Sequence, residues 1–122
     1  MRFERLNVWK RSCRLCVDIV RTMDSCKNFG LKDQLCRSSL SVPSNIAEGE
    51  ERQTKRESAR FFYIAKGSCG EVITQLYIAS ELGYIRKTQA IEFINEAKQI
   101  SAMLAQLIKI REREGKGLDS RS

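Results

Sequence analysis

At 122 residues the chain has the length of one domain, enough to build a hydrophobic core without disulfide or metal staples. A single proline, few glycines and abundant Leu, Ile, Ala, Glu, Lys, Arg and Gln argue against a turn-rich β fold and for helices. The formal charge is +7 and there is no histidine. The commonest general base, triad partner and metal ligand are therefore missing, while attraction to phosphates or acidic partners stays open.

The first helix is expected over about residues 4–24. Leu6, Trp9, Cys13, Cys16, Val20 and Met23 recur in steps of three and four and form its main apolar face. Val8, Leu15 and Ile19 make a second, narrower stripe. A small monomer has difficulty burying two stripes of one helix, so the second points to contacts between subunits. The N-terminus carries Arg2, Glu4 and Arg5 with no apolar segment behind them, and no apolar run reaches the roughly 20 residues that cross a bilayer. A soluble, cytoplasmic protein with no membrane partner is the expectation.

Cys13 and Cys16 have the C-x-x-C spacing of zinc and thiol-redox sites. Cys26, Cys36 and Cys69 supply no second pair, and no β-α-β context surrounds the motif. Packing on the helix face is the better reading, with the thiols reduced inside a cell. No metal, cofactor or small-molecule substrate is expected.

Asp24 to Gly30 reads as a loop. A second helix, about 29–49, carries Leu31, Leu35, Ser38, Val42 and Ile46 and stops at Gly49. Pro43 lies inside it and frees the carbonyl four residues earlier. The helix either kinks near Leu40 to Pro43 or breaks, with Pro43 opening a new helix. One kinked helix is preferred because the apolar stripe keeps its phase, and Ser38, Ser39 or Ser41 could serve the freed carbonyl.

Thr54 and Glu57 have the form of a capping box for a third helix, about 54–82. Its apolar face runs Phe61, Phe62, Ala65, Cys69, Val72, Leu76, Ala79 and Leu82. Gly67 and Gly70 sit mid-helix, where each costs about 1 kcal/mol relative to alanine, which suggests close helix approach there. Gly83 with Tyr84 ends this helix. Thr88 is placed to cap a fourth, about 88–112, with Phe93, Ala97, Ile100, Leu104 and Leu107 on one face. Residues 113–122 read as a flexible polar tail. Together these make an all-α, antiparallel up-and-down four-helix bundle.

No phosphate loop, dinucleotide fingerprint or nucleophile-base pair accompanies the carboxylates, so no catalytic residue is expected and the protein reads as a non-enzyme. Glu48, Glu57 and Glu71 are placed near helix interfaces, either as a polar site with Arg52 or Arg56 or, preferably, as a hydrogen-bonded network between the second and third helices. The candidate nucleic-acid contacts are Lys10, Arg11, Arg14 and Arg21 on the first helix and Arg52, Lys55, Arg56 and Arg60 around the entry to the third, with Phe61, Phe62 and Tyr63 nearby. The alternative is that these are solvated faces, partly neutralised by Glu50, Glu51 and Glu57.

The run Ser41-Val42-Pro43-Ser44-Asn45-Ile46-Ala47-Glu48-Gly49 resembles the signature of the four-helix-bundle proteins encoded by 23S rRNA intervening sequences, the S23 ribosomal protein family. Other matches follow the same order: Leu6-x-Val8-Trp9-Lys10, Gly30-Leu31-x-x-Gln34-Leu35-x-Arg37, Ile64-Ala65-Lys66-Gly67-Ser68 with Glu71, and Leu82-Gly83-Tyr84-Ile85. The resemblance implies a self-associating bundle, a homopentameric ring, with an RNA or ribosomal partner. Such bundles are also similar to the basic pentameric accessory proteins of diversity-generating retroelements, which bind nucleic acid and a reverse transcriptase. The competing function is a protein-interaction scaffold with no direct nucleic-acid contact.

Overall fold

The computed structural model describes residues 1–121, with side chains for 1–116. A 3₁₀ turn, Arg2–Arg5, leads into four helices: α1 (Asn7–Met23), α2 (Phe29–Glu51), α3 (Lys55–Glu81) and α4 (Lys87–Arg121). Each helix packs on its neighbours in chain order and α4 closes back on α1, while the backbones of the diagonal pairs, α1 with α3 and α2 with α4, stay apart. Short connections force neighbours antiparallel, which gives the expected bundle.

Local chemistry sets the ends. Asn28 accepts the Leu31 amide at 3.1 Å and starts α2, and Thr54 accepts the Glu57 amide at 3.1 Å and starts α3. Gly83, at φ +82°, lets Tyr84 N–H reach the Ala79 carbonyl and its own N–H reach that of Ser80, the paired bonds that finish α3. Thr88 does not cap α4, which already begins at Lys87. Nor does that helix stop near 112, since its backbone continues to Arg121. Lys55 pairs with Glu114 at 3.2 Å and so ties the expected tail's first turn to the start of α3. The side chains of 117–122 lie outside the described residues.

The core holds Ile19, Met23, Leu35, Ile46, Phe62, Leu76, Ile100 and Leu104, all fully buried. On α1 the second stripe, Val8, Leu15 and Ile19, expected at subunit contacts, is buried in the core of the single chain. Val8, Ser12, Leu15, Cys16, Ile19 and Met23 face inward, while Val17 and Val20 are exposed and Cys13 is half-buried. The burial centre lies between the two stripes, because α2 and α4 cover both flanks of α1. On α3, Leu82 is exposed rather than core, and Phe61 is half-buried beneath Arg52.

Helix α2 runs unbroken through Pro43. The serines expected at the freed carbonyl are engaged elsewhere: Ser39 Oγ donates to the Cys36 carbonyl, Ser38 Oγ to Glu71, and Ser41 Oγ meets Ser68 Oγ at 2.8 Å. Gly49 does not stop α2. A Cβ built there would stand 2.8 Å from the Phe62 ring and 3.1 Å from the Ser58 carbonyl, so glycine is what allows α2 and α3 to close at that level. Gly67 and Gly70, the expected points of approach, face open space.

Candidate nucleic-acid interface

Several side chains that the sequence grouped as one basic cluster are held by internal partners. After α2 ends, the turn before Thr54 folds Arg52 back onto Glu48 at 2.8 Å, and its guanidinium lies 4.4 Å from the Phe61 ring centroid. Lys55 is taken by Glu114. Arg56 and Arg60, one turn further along α3, remain exposed, and among the described residues no carboxylate pairs with either. They line a groove of about 620 Å³ together with Glu57, Ala59 and Tyr63 from α3 and Arg111, Glu112, Gly115 and Lys116 from α4.

The floor and walls of this groove are organised by two further contacts. Arg111 is only 15% exposed and donates to Glu50 Oε2 at 2.8 Å and to Ser58 Oγ at 3.3 Å, with its guanidinium 5.7 Å from the Phe62 ring centroid. It reaches across the diagonal from α4 to the end of α2, so it fixes the groove's floor rather than offering a free cation. Tyr63 donates its hydroxyl to Glu112 Oε1 at 2.7 Å, and that bond raises the phenol's pKa. The ring is thereby held in place on the groove wall.

The second expected cluster, on α1, does not join the first. Arg11 turns toward α4: Nε donates to Glu96 at 2.9 Å, Nη2 to Gln99 at 2.6 Å, and Nη1 approaches Met103 Sδ. The same fork holds the Glu96 carboxyl below its ordinary range. Arg14 pairs with Asp18 at 3.4 Å. Lys10 and Arg21 stay exposed. Because α1 lies diagonally across from α3, its outward cations and those of the groove face different sides of the molecule.

The signature residues come together on the α2–α3 seam. Asn45 Nδ2 donates to the Ser41 carbonyl at 2.8 Å and to Ser41 Oγ at 3.0 Å, Ser41 meets Ser68, and Ser38 reaches Glu71 at 3.3 Å. The Ser41–Ser68 and Ser38–Glu71 bonds join the two helices, while the Asn45 bonds lie within α2. Of the three carboxylates expected in an interhelical network, only Glu71 takes part among the described residues. Glu48 bonds Arg52 rather than Asn45. Ile46, Pro43 and Gly49 are buried, Ala47 is half-buried and Ser44 is exposed.

Among the described residues no cluster of histidine, cysteine, aspartate or glutamate is arranged to hold a metal ion. Cys16 is buried with its sulfur 3.6 Å from Ser39 Oγ, and burial pushes the Cys69 thiol up to about 12. No helix is long and apolar enough to cross a membrane among the residues described. Lys116 and Glu112 escaped the sequence reading because the chain near and beyond 112 looked like a tail. The signal for them was the run Arg111-Glu112-Arg113-Glu114, good helix formers that carry the fourth helix on without an apolar stripe.

Comparison with known proteins agrees with this architecture. The chain is similar to a protein of unknown function from the S23 ribosomal protein family of Bacteroides thetaiotaomicron, at 25% identity and a TM-score of 0.79, over 84% of this chain and 98% of that one. No curated protein matches it. The model of the 23S rRNA-intervening sequence proteins matches residues 4–106, from the 3₁₀ turn through most of α4, and the chain belongs to that family.

Proposed function

We propose that the protein is a non-enzymatic, self-associating helical bundle that binds nucleic acid through phosphate contacts at the α3–α4 groove. The observation that carries this reading is the pairing of Arg56 and Arg60 with Lys116 around one concavity, with no acidic partner for any of them among the described residues. A cleft lined mostly by one sign of charge concentrates anions. RNA is the favoured partner by family name, and the reduced interior of a cell suits the free thiols.

The exposed apolar residues Val17, Val20, Phe29 and Leu40 support self-association, with the pentameric ring as the assembly implied by the family. They equally favour the competing reading, an accessory scaffold that docks a protein partner. Sedimentation of the full chain decides the subunit number.

Fluorescence anisotropy with rRNA fragments at two salt concentrations separates the readings. A phosphate-binding groove gives affinity that falls steeply with salt. Arg56→Gln with Arg60→Gln then lowers the slope of log K against log salt by about one for each phosphate no longer neutralised. Binding that is absent at low salt, or unaffected by both substitutions, leaves the scaffold.

A further inference from the structure

The groove at Arg56 and Arg60 is one end of a longer trough. The antiparallel register of α3 against α4 is marked by Gly115, whose Cβ position lies 3.6 Å from Lys55 Cβ, and by the reach of Arg111 to Ser58. Carried along both helices, that register sets Lys109 about level with Phe61, Ala105 with Ala65 and Lys98 with Val72, so the α4 lysines alternate along the seam with Tyr63, Lys66 and Tyr77. The α3 positions 59, 63, 66, 70 and 77 and the α4 positions 98, 105, 109, 112 and 116 each recur at steps of three, four or seven, so each set forms one stripe. The two stripes flank the same seam on its solvent side.

The contents of the stripes are unusual for a seam between packed helices. The middle is shallow, because Gly70 has nothing within 4 Å of where its Cβ would be and Ala105 is small. Around that trough stand Lys66, Lys98, Lys109 and Lys116, all exposed. None of them has an acidic partner among the described residues. Lys109, Lys66 and Lys98 follow one another along the seam, roughly 7 to 9 Å apart along the helix axis, a row of like charges that attracts a chain of anions. Tyr63 and Tyr77 present rings that are 55% and 54% exposed. They are fourteen residues apart, about 21 Å along the helix, which is the length of a few nucleotides.

Resting on the nucleic-acid reading above, we infer that this trough takes a single strand, with bases stacked on Tyr63 and Tyr77 and the intervening phosphates between Lys66, Lys109 and Lys98. A duplex fits it poorly. The trough is no wider than the roughly 8–10 Å that separates packed helices, and a duplex keeps its bases stacked within itself. A positive channel that tracks the backbone, with aromatic faces set along it, is how single strands are held without sequence readout. Glu112 serves here to fix the Tyr63 ring, which makes that platform rigid before the strand arrives.

The test uses the full chain, a labelled oligo-uridine and a hairpin duplex of equal phosphate number, titrated at low and moderate salt. The single strand should bind more tightly than the duplex. Tyr63→Ala with Tyr77→Ala should weaken single-strand binding by about tenfold or more while leaving duplex binding unchanged, and Tyr63→Phe, which keeps the ring, should retain most of it. Lys66→Gln with Lys109→Gln should flatten the salt dependence for the single strand. These side chains are exposed, and an unchanged helical circular-dichroism signal verifies folding. A duplex that binds as well as the strand, or tyrosine variants that bind the strand normally, overturns the trough even if Arg56→Gln and Arg60→Gln still weaken binding. If neither probe binds at low salt, the nucleic-acid reading itself falls as well.

Discussion

Two arginine–glutamate contacts hold this bundle at different places, and their surroundings differ more than their chemistry. At the end where α2 turns into α3, Arg111 and Glu50 are 15% and 12% exposed, and Ser58 and the Phe62 ring complete the cage around the guanidinium. On the α1–α4 seam, Arg11 and Glu96 are 37% and 31% exposed, with Gln99 and Met103 beside them. The first pair has given up most of its water and depends on its partners to replace it. The second keeps enough water that either member tolerates loss of the other. Burial, and not the type of bond, sets how much each contact matters.

Breaking the inner pair is therefore the largest effect. Glu50→Ala leaves the Arg111 cation buried beside an aromatic ring with only Ser58 as acceptor, and should cost about 3 kcal/mol in urea unfolding. Replacing both members with methionine should recover most of that loss, because the penalty comes from the stranded charge. A double variant as unstable as Glu50→Ala would show that the pair itself, rather than its burial, supplies the stability. Because Arg111 also floors the groove, Glu50→Ala should disturb binding at Arg56 and Arg60 without touching either.

The outer pair gives a smaller effect and a pH signature. Arg11→Met should cost about 1 kcal/mol at neutral pH, discounted for solvent screening. The Glu96 carboxyl is depressed chiefly by its hydrogen bond from Arg11, while burial pulls the other way. A depressed folded pKa contributes stability that is present above the ordinary carboxylate range and is lost as pH falls through the folded value. The gap between wild type and Arg11→Met should thus be widest near neutrality and close below about pH 4. A gap that stays constant with pH would mean that Arg11 acts only by packing on Met103.

The bundle itself was legible in the spacing of Leu, Ile and Ala, and two of its ends in Thr54 and Gly83, since capping and periodicity are local properties. What the sequence hid were choices made by neighbours. Val8, Leu15 and Ile19 became core because α2 and α4 cover both flanks of α1, a fact no single-helix wheel contains. Likewise Arg11, Arg52 and Lys55 looked available until Glu96, Glu48 and Glu114 came within reach. Only Glu48, one helical turn from Arg52, was near enough in the chain to be foreseen. The lysine and tyrosine trough needed the α3–α4 register, which shows only where Gly115 lies against Lys55 and Arg111 reaches Ser58.

The glycines offer the finest test, because the same residue type has opposite reasons at two levels of the α2–α3 region. At Gly49 a methyl would meet the buried Phe62 ring at 2.8 Å, so overpacking outweighs the helix propensity gained by alanine. Gly49→Ala should lower stability by roughly 1 kcal/mol or less. At Gly67 a methyl meets nothing within 4 Å, and the single chain gains only from the stiffer unfolded state and better helix propensity. Gly67→Ala should raise the stability of dilute protein by roughly 0.5–1 kcal/mol. The sign at Gly67 then reads out the assembly. If the substitution stabilises at low concentration yet weakens association in sedimentation, the open face of α3 is where copies meet. If it stabilises at every concentration, the open face of α3 is not a subunit contact, which leaves the exposed Val17, Val20 and Leu40 as the surface to test for association.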